Sequence, residues 1–385
     1  MNIIKNKKIA IIGGGPGGLT LARLLQMNGV NVTVYERDVN KDVRVQGATL
    51  DLHLESGLAA LQEAGLMENF KAVYRPGADK LRIVDKEGTI LFDDEERGKE
   101  EAFGDEAFRP EIDRGPLRKI LLDSLQPDTL VWNAHLLSLE PHNSGWKLQF
   151  QSGTSAVADI VIAADGANSK VRPFITAIKP FYSGVTVIEG AVYHFEKNVP
   201  YIHKLLNGGK IFALDDAKTL IVSSKGDGSL VFYTGCKTDE DWVQKSNINF
   251  RDKAQVLAWF QQEFRGWNSI WLGLFQNANT PFIPRPQYCM PLDQTWNSLP
   301  NLTMLGDAAH LMPPYAGEGV NMAMLDALEL SNCFMNEAFD VQSAIASYET
   351  AMRKRASETA AMTLQQTDSF HSANALSDTL KMFSN

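Results

Sequence analysis

The sequence has 385 residues, 44% of them hydrophobic and 22% charged, and a formal charge of −9. A chain of this size outgrows one small core and predicts two intertwined domains, or one with a sizeable insertion. The composition excludes disordered, collagenous and membrane classes, and the acidic balance argues against nucleic-acid binding that relies on Lys and Arg neutralising phosphates.

The amino terminus runs into a short strand without a sustained apolar segment, and no later run approaches the ~18 apolar residues of a membrane span. Three widely separated cysteines, Cys236, Cys289 and Cys333, give neither a disulfide framework nor a metal cluster. A cytoplasmic monomer without membrane or metal is expected.

The first element is "KIAIIGGGPGGLTLARLLQMNGVNVTVYERD". An apolar strand meets a glycine turn, apolar residues then recur at helical spacing up to Asn28 and Gly29, and a β-branched strand follows. Gly13, Gly15 and Gly18 occupy the glycine positions of G-x-G-x-x-G, with Pro16 opening the helix. Gly13 allows the tight turn, Gly15 admits a pyrophosphate against the backbone, and Gly18 lets helix and strand pack closely. Free amides at the helix start face the phosphates. Glu36, at the end of the second strand, is placed to accept from the hydroxyls of an adenosine ribose and to repel a 2′-phosphate. The signature is therefore that of a dinucleotide site.

Further along, "DDEERGKEEAFGDE" at 93–106 reads as a solvated loop, since its spacing fits no cation-binding loop. "ADIVIAADGANSKVR" is a buried strand ending in Asp165 and Gly166, then a turn and the basic Arg172. Residues 179–282 change to short alternating runs with turns at "NGGK" and "GDG", the pattern of an antiparallel sheet. "FRDKAQVLAWFQQEF" reads as an amphipathic helix on the outside of that sheet. "NLTMLGDAAHLMPPYAGEGVN" is a second apolar strand ending in Gly306 and Asp307, a proline-bearing loop, and a helix opening near Gly319. "SAIASYETAMRKRASETAAMTLQQTDSF" is a long helical pattern without proline or glycine.

Two further glycine–acid elements far from the first suit an extended FAD, whose ribityl hydroxyls and flavin ring need partners beyond the pyrophosphate turn. Asp307 is placed to accept from a ribityl hydroxyl while Gly306 leaves room for the approach. The amides of the helix opening near Gly319 favour negative charge beside them, as on the pyrimidine edge of a reduced flavin.

Together, "GGGPGG", Glu36, "DGANSKVR" and "GDAAHLMPPYAGEGVN" resemble the fingerprints of class A, single-component FAD monooxygenases. "VYERD", "GATLDLH" and "RPEIDRGPLRKILLDSL" add a resemblance to the tetracycline-inactivating, Tet X type members. The resemblance implies an α/β fold: a Rossmann-like FAD-binding domain (1–66, 93–178 and 283–340), an inserted antiparallel-sheet substrate domain (67–92 and 179–282), and a C-terminal bridging helix (341–385). Residues 67–92 would add strands or a helix to the substrate sheet.

By matching motif, Gly13, Gly15, Pro16, Gly18, Glu36, Arg37, Asp51, Arg114, Asp165, Gly306, Asp307, Pro314, Gly317, Gly319, Val320 and Asn321 would contact FAD, and Arg44 would help admit NADPH. Glu189, Lys210 and Phe212 fall where the tetracycline-acting relatives have glutamine, arginine and methionine, and Val231 falls at their substrate-binding histidine. Pro314 and Tyr315 would lie beside the substrate, with Met362 or Phe370 at the edge of the pocket, and His310 is read as either an acid–base group or a loop brace.

The resemblance implies that NADPH, a transient co-substrate with no Rossmann unit of its own, reduces FAD. A C4a-hydroperoxyflavin formed with O2 would then hydroxylate an aromatic or polycyclic substrate, with tetracycline inactivation as the narrowest reading. FAD carries the chemistry, so no catalytic side chain is assigned. A halogenase is excluded by the spacing of "WNSIWLGLF". A flavin dehydrogenase or oxidase without oxygen transfer, and a non-catalytic flavin protein that sequesters an aromatic ligand, remain as alternatives.

Overall fold

The computed structural model describes residues 3–43, 47–97 and 102–384. Arg44 lies outside the described residues, as does part of the acidic run at 93–106.

Strand β1 (Ile9–Ile12) turns through the glycines into helix α1 (Pro16–Met27) and returns as β2 (Val32–Tyr35). Strands β3 (Leu81–Val84) and β4 (Ile90–Asp93) then leave this unit, and helix α2 (Arg114–Asp123), β5 (Leu130–Val131) and β6 (Ile160–Ala163) come back to it. The second excursion holds β7 (Phe181–Tyr193), β8 (Lys210–Asp215), β9 (Lys218–Ser224), β10 (Ser229–Lys237), helix α3 (Lys253–Glu263) and β11 (Asn279–Cys289). The chain closes with β12 (Leu302–Met304), α4 (Glu318–Met335), α5 (Val341–Phe370) and α6 (Ala375–Ser384).

The nucleotide-side sheet has the order β12-β6-β1-β2-β5 and every pair in it is parallel. Its strands are near-continuous apolar runs because both faces are covered, the fully buried β1 and β6 being "IAII" and "IVIA". Helix α1 begins with Pro16 after an extended Gly15, an arrangement suited to a first turn whose amides have no helical partner, and it buries Leu19, Leu21, Leu24 and Leu25.

The second sheet has the order β11-β7-β10-β9-β8-β3-β4. It corrects the sequence expectation in one respect: β8 and β3 pair in parallel, so the sheet is mixed. Alternation reports which face a residue takes but not the direction of its neighbour, and β3 reaches β8 from far along the chain. Strand β11 pairs with β7 in this sheet and runs through the expected domain boundary at 282/283, which three prolines within the strand had obscured. The outer face of the sheet buries Phe232 and Phe282 against Phe260 of α3 and Phe275 of the short helix Leu272–Asn277, with ring centroids 5.0 Å apart for Phe232–Phe275 and 4.1 Å for Phe260–Phe275. The inner face, with Glu189, Phe212, Ile221 and Tyr233, lines a cavity.

The expected single C-terminal helix over 341–385 is two helices, α5 and α6, separated at His371–Asn374. Ser372 offers the backbone a local hydrogen bond that competes with helix, its Oγ accepting from the Asn374 amide, and the Asn374 carbonyl then accepts from the Asp378 amide as α6 begins. Helix α6 folds back so that Phe383 meets Phe92 of β4 at 5.6 Å. Among the described residues no helix is long and apolar enough to cross a membrane.

Helix α5 is fastened to the nucleotide-side domain by Glu349, which is fully buried. Its carboxylate accepts from Trp296 Nε1 at 3.0 Å, Ser298 Oγ at 2.5 Å and Thr303 Oγ1 at 2.8 Å, and burial pushes its pKa up against the pull of those donors. Removing the acceptor leaves two buried donors and the part-buried Ser298 hydroxyl unsatisfied. Glu349→Ala is therefore expected to cost about 3 kcal/mol, measured as a lower denaturant midpoint with an unchanged slope; Glu349→Gln, which keeps one acceptor, should fall between.

Candidate functional site

The glycine turn has the shape needed to seat a pyrophosphate. Gly13 has φ +110°, and a β-carbon there would lie 2.2 Å from the Ala164 carbonyl oxygen; one on Gly18 would lie 2.2 Å from the Gly13 carbonyl oxygen. Gly15 differs: at φ −80° a β-carbon would meet nothing within 4 Å and would project into open space in front of α1. No side chain caps the start of α1 and its first turn carries no acid, so its amides stand ready for an anion.

Glu36 is 1% exposed. Its Oε2 accepts from the Gly14 amide at 2.6 Å and its Oε1 from the Asp38 amide at 2.9 Å, which ties the turn to the end of β2. Each carboxylate oxygen can accept more than one hydrogen bond, so this role is compatible with ribose hydroxyls. Arg37 follows it into the same cavity.

The two distant glycine–acid elements meet here. Asp165 accepts from the Lys170 amide at 2.7 Å through Oδ2, while Oδ1 is buried without a partner; burial raises its pKa. Arg172 donates to the carbonyl oxygens of Ala308 at 2.6 Å, Asp307 at 2.8 Å and Ala167 at 3.0 Å, clamping the first loop onto the second. Gly306, at φ +59° and ψ −146°, takes a conformation that excludes other residues and delivers Asp307 to the cavity. Burial raises the Asp307 pKa against the attraction of His310, Arg114 and Arg172.

His310 is a brace. It is 2% exposed and does not line the cavity; its Nε2 lies 2.6 Å from Asp326 Oδ2. Asp326 also accepts from the Gly306 amide at 2.9 Å and from Arg355 of α5 at 2.6 Å. Burial opposes a charged His310, but the Asp326 carboxylate outweighs it and holds the imidazole pKa above its ordinary value.

Pro314, Gly317, Gly319 and Val320 line the cavity where α4 begins, and Gly317 at φ +72° passes so close to Asp51 that a β-carbon would lie 2.9 Å from Asp51 Oδ2. Burial raises the Asp51 pKa, but the neighbouring His53 and Lys210 win and hold it below the ordinary value. Asn321 departs from expectation. It is fully buried, donates to the Asp51 and Gly317 carbonyl oxygens and accepts from the His53 amide, so its side chain locks the loop instead of facing the cavity. Arg114 lines the cavity at the head of α2 and donates through Nε to the Ala48 carbonyl oxygen at 3.1 Å. Arg114 is exposed to the open cavity, and the surrounding walls lower its pKa by desolvation against the pull of Tyr233, Asp307 and Glu189.

The remaining wall comes from the second sheet. Lys210 forms an ion pair with the fully buried Glu111, and Glu189 Oε2 lies 2.5 Å from Arg285 Nε. Phe212, Tyr315 and Phe370 form an aromatic corner, with Phe370 edge-on to both rings at 5.9 and 5.8 Å. Tyr315 lies 3.3 Å through its hydroxyl from His371 Nε2, and His371 Nδ1 lies 2.8 Å from the Thr367 carbonyl oxygen. Burial lowers the His371 pKa to about 4, so at neutral pH the ring donates to Thr367 and accepts from Tyr315. Val231 is buried in register with Ala191. Met362 is 44% exposed and does not edge the pocket, whereas Phe370 does.

Sequence reading missed Tyr233, Arg285, His371, Met382 and Phe383. Tyr233 was detectable in "LVFYTGC", where it has opposite parity to the core residue Phe232; Arg285 was hidden among prolines. All the groups that line this wall and the glycine turn share one cavity of about 1630 Å³. That is well above the ~300–1,000 Å³ of ordinary ligand pockets, and suits an extended cofactor with a second molecule beside it.

This fold and this cavity define a flavoprotein class, and residues 6–201 and 298–363 match the FAD-binding domain family, to which the chain belongs. It is an FAD-dependent monooxygenase. The monooxygenase penA of Penicillium thymicola is 30% identical over 371 residues, covering 84% of each chain. Klebsiella pneumoniae HpxO, solved with FAD and uric acid, shares the fold at a TM-score of 0.77 and 20% identity, covering 99% of this chain and 93% of its own. The tetracycline destructase Tet(55) shares it at 0.73 and 21% identity, covering 95% and 90%.

Two outcomes follow from this geometry. Gly15→Ala should leave unfolding of the flavin-free protein within about 0.5 kcal/mol of wild type yet weaken FAD binding by about tenfold or more, read by flavin fluorescence titration; Gly13→Ala should destabilise the flavin-free protein itself. His371 supplies a pH signature. Its folded pKa is depressed, so the unfolded chain takes up the proton first, and the stability it contributes is complete above about pH 6.5 and lost as pH falls towards 4. Between pH 7 and 5 wild type should lose roughly 2 kcal/mol more than His371→Gln in denaturant titrations.

Proposed function

We propose that this monooxygenase hydroxylates a planar aromatic or polycyclic substrate, with NADPH as transient reductant and O2 as oxygen donor. The observation that carries the reading is the continuity of the cavity. It runs from Gly15 past Asp307 and the start of α4 to the aromatic corner of Phe212, Tyr315 and Phe370. In this reading Gly13, Gly15, Pro16 and Gly18 seat the pyrophosphate, and Glu36 and Arg37 meet the adenosine end. Asp51, Arg114, Asp165, Gly306 and Asp307 hold the central part, and Pro314, Gly317, Gly319, Val320 and the backbone of Asn321 meet the flavin ring. Once bound, FAD supplies the electron relay from nicotinamide to O2, which places one oxygen atom in the substrate and releases the other as water.

The chain's own residues do the rest. The uncapped amides at the head of α4 favour negative charge at the ring edge they face. Phe212, Tyr315, Phe370, Met382 and Phe383 wall the substrate half with carbon, which keeps water from the reacting atoms. Tyr315 stays a neutral phenol because burial raises its pKa, and His371 fixes its hydroxyl. Tetracycline is the narrower candidate: the solved destructases share this fold, and a flat wall suits fused rings, while Glu189 and Lys210 present it with different polar partners and Phe212 with an aromatic face.

The test follows NADPH oxidation and oxygen uptake against tetracyclines and simpler phenols, with mass spectrometry of products. Stimulated NADPH oxidation with a product heavier by one oxygen atom is expected. Peroxide release with no oxygenated product across the panel would sink the reading, and activity confined to simple phenols would remove tetracycline alone.

A further inference from the structure

Four residues stand in a row across four neighbouring strands of the second sheet. Glu189 on β7 is in register with Tyr233 on β10, Tyr233 with Ile221 on β9, and Ile221 with Phe212 on β8. All four line the cavity, as does Arg285 on β11, whose Nε holds Glu189 Oε2 at 2.5 Å. The wall is therefore graded along its length, from an ion pair through a phenol and an aliphatic chain to a phenyl ring.

The polar end still has capacity to recognise a ligand. Arg285 donates to Glu189 through Nε, and its two terminal amino groups hold no hydrogen bond among the described residues. Glu189 Oε1 likewise accepts none among the described residues. The Tyr233 hydroxyl accepts from the Ala48 amide at 2.9 Å, which leaves its own proton to donate, and burial with the Glu189 charge keeps it protonated. A carboxylate acceptor, guanidinium donors and a phenol donor thus border one patch of the wall.

Resting on the function proposed above, we infer that Glu189, Arg285 and Tyr233 select substrates whose polar edge pairs an N–H donor with a carbonyl acceptor, as in a neutral aromatic amide, and reject aromatic carboxylates. The N–H meets Glu189 Oε1, and the carbonyl oxygen meets Arg285 or Tyr233. A carboxylate has no donor for Glu189 and is repelled by it, while Arg285 is already neutralised by the same group. The hydrocarbon body lies along Ile221 and Phe212 and completes the match.

The test uses FAD-loaded enzyme and two ligands with one ring system, naphthalene-2-carboxamide and 2-naphthoate, with affinity read from the perturbed flavin absorbance. Wild type is expected to bind the carboxamide about tenfold or more tightly than the carboxylate. Glu189→Gln, which keeps the shape and removes the charge, should narrow that gap by about tenfold, chiefly by tightening 2-naphthoate. Arg285→Gln should weaken the carboxamide. Equal binding of the two ligands by wild type, an unchanged gap in Glu189→Gln, or binding of neither ligand would overturn the inference. Oxygenation of another compound in the phenol and tetracycline panel would leave the proposed function standing in that event. Conversely, amide preference without NADPH oxidation would remove only the function.

Discussion

A carboxylate sealed from water must be surrounded by donors, and the way Asp326 meets that requirement organises the molecule. It sits on α4 and gathers the Gly306 amide, His310 and Arg355, three groups from two segments, the turn after β12 and helix α5. Arg355 draws in α5, His310 holds the loop after β12, and the Gly306 amide fixes the strand end from which Asp307 emerges. Arg172 completes the arrangement from the other side by gripping the carbonyls of Asp307 and Ala308. The cavity-facing groups need no rigidity of their own, because buried charges behind them set the positions of their backbones.

The parts of this design that were legible in the sequence are those whose cause is local. Gly13, Gly15 and Gly18 declare a turn because strand, glycine spacing and helical periodicity stand next to each other, and Asp307 was recognisable because an apolar strand ends on it. The Arg172 clamp was invisible, since Asp307 and Ala308, the partners that make it a clamp, lie more than a hundred residues away and arginine at that position reads equally as a surface charge. The direction of the Asn321 side chain was illegible for a related reason. A motif match gives a residue's position on a helix start, but not whether its side chain turns toward the ligand or back onto Asp51 and His53. The break at His371–Asn374 rests on short polar side chains that compete weakly with helix, a difference too small to see beside the strong pattern of the thirty residues before it.

The substrate wall was the least legible region, and its construction explains why. Its chemistry is assembled across strands, so Glu189, Tyr233, Ile221 and Phe212 are neighbours in space while separated in the chain by up to dozens of residues. Strand pairing has to be known before the row exists. The parallel pairing of β3 with β8 adds to the difficulty, because the sequence places residues 67–92 with this sheet without giving the direction in which their strand runs.

The alternation within those strands has one more consequence. Phe232, facing outward, belongs to the aromatic core that holds the sheet to α3, whereas Tyr233, the next residue, faces the cavity. Structural integrity and chemical preference are thereby assigned to opposite surfaces of a single layer. Ligand-facing positions are free to be exchanged in sets, as tiles on a fixed backing, which makes this layer the natural place to retarget the enzyme without rebuilding its scaffold.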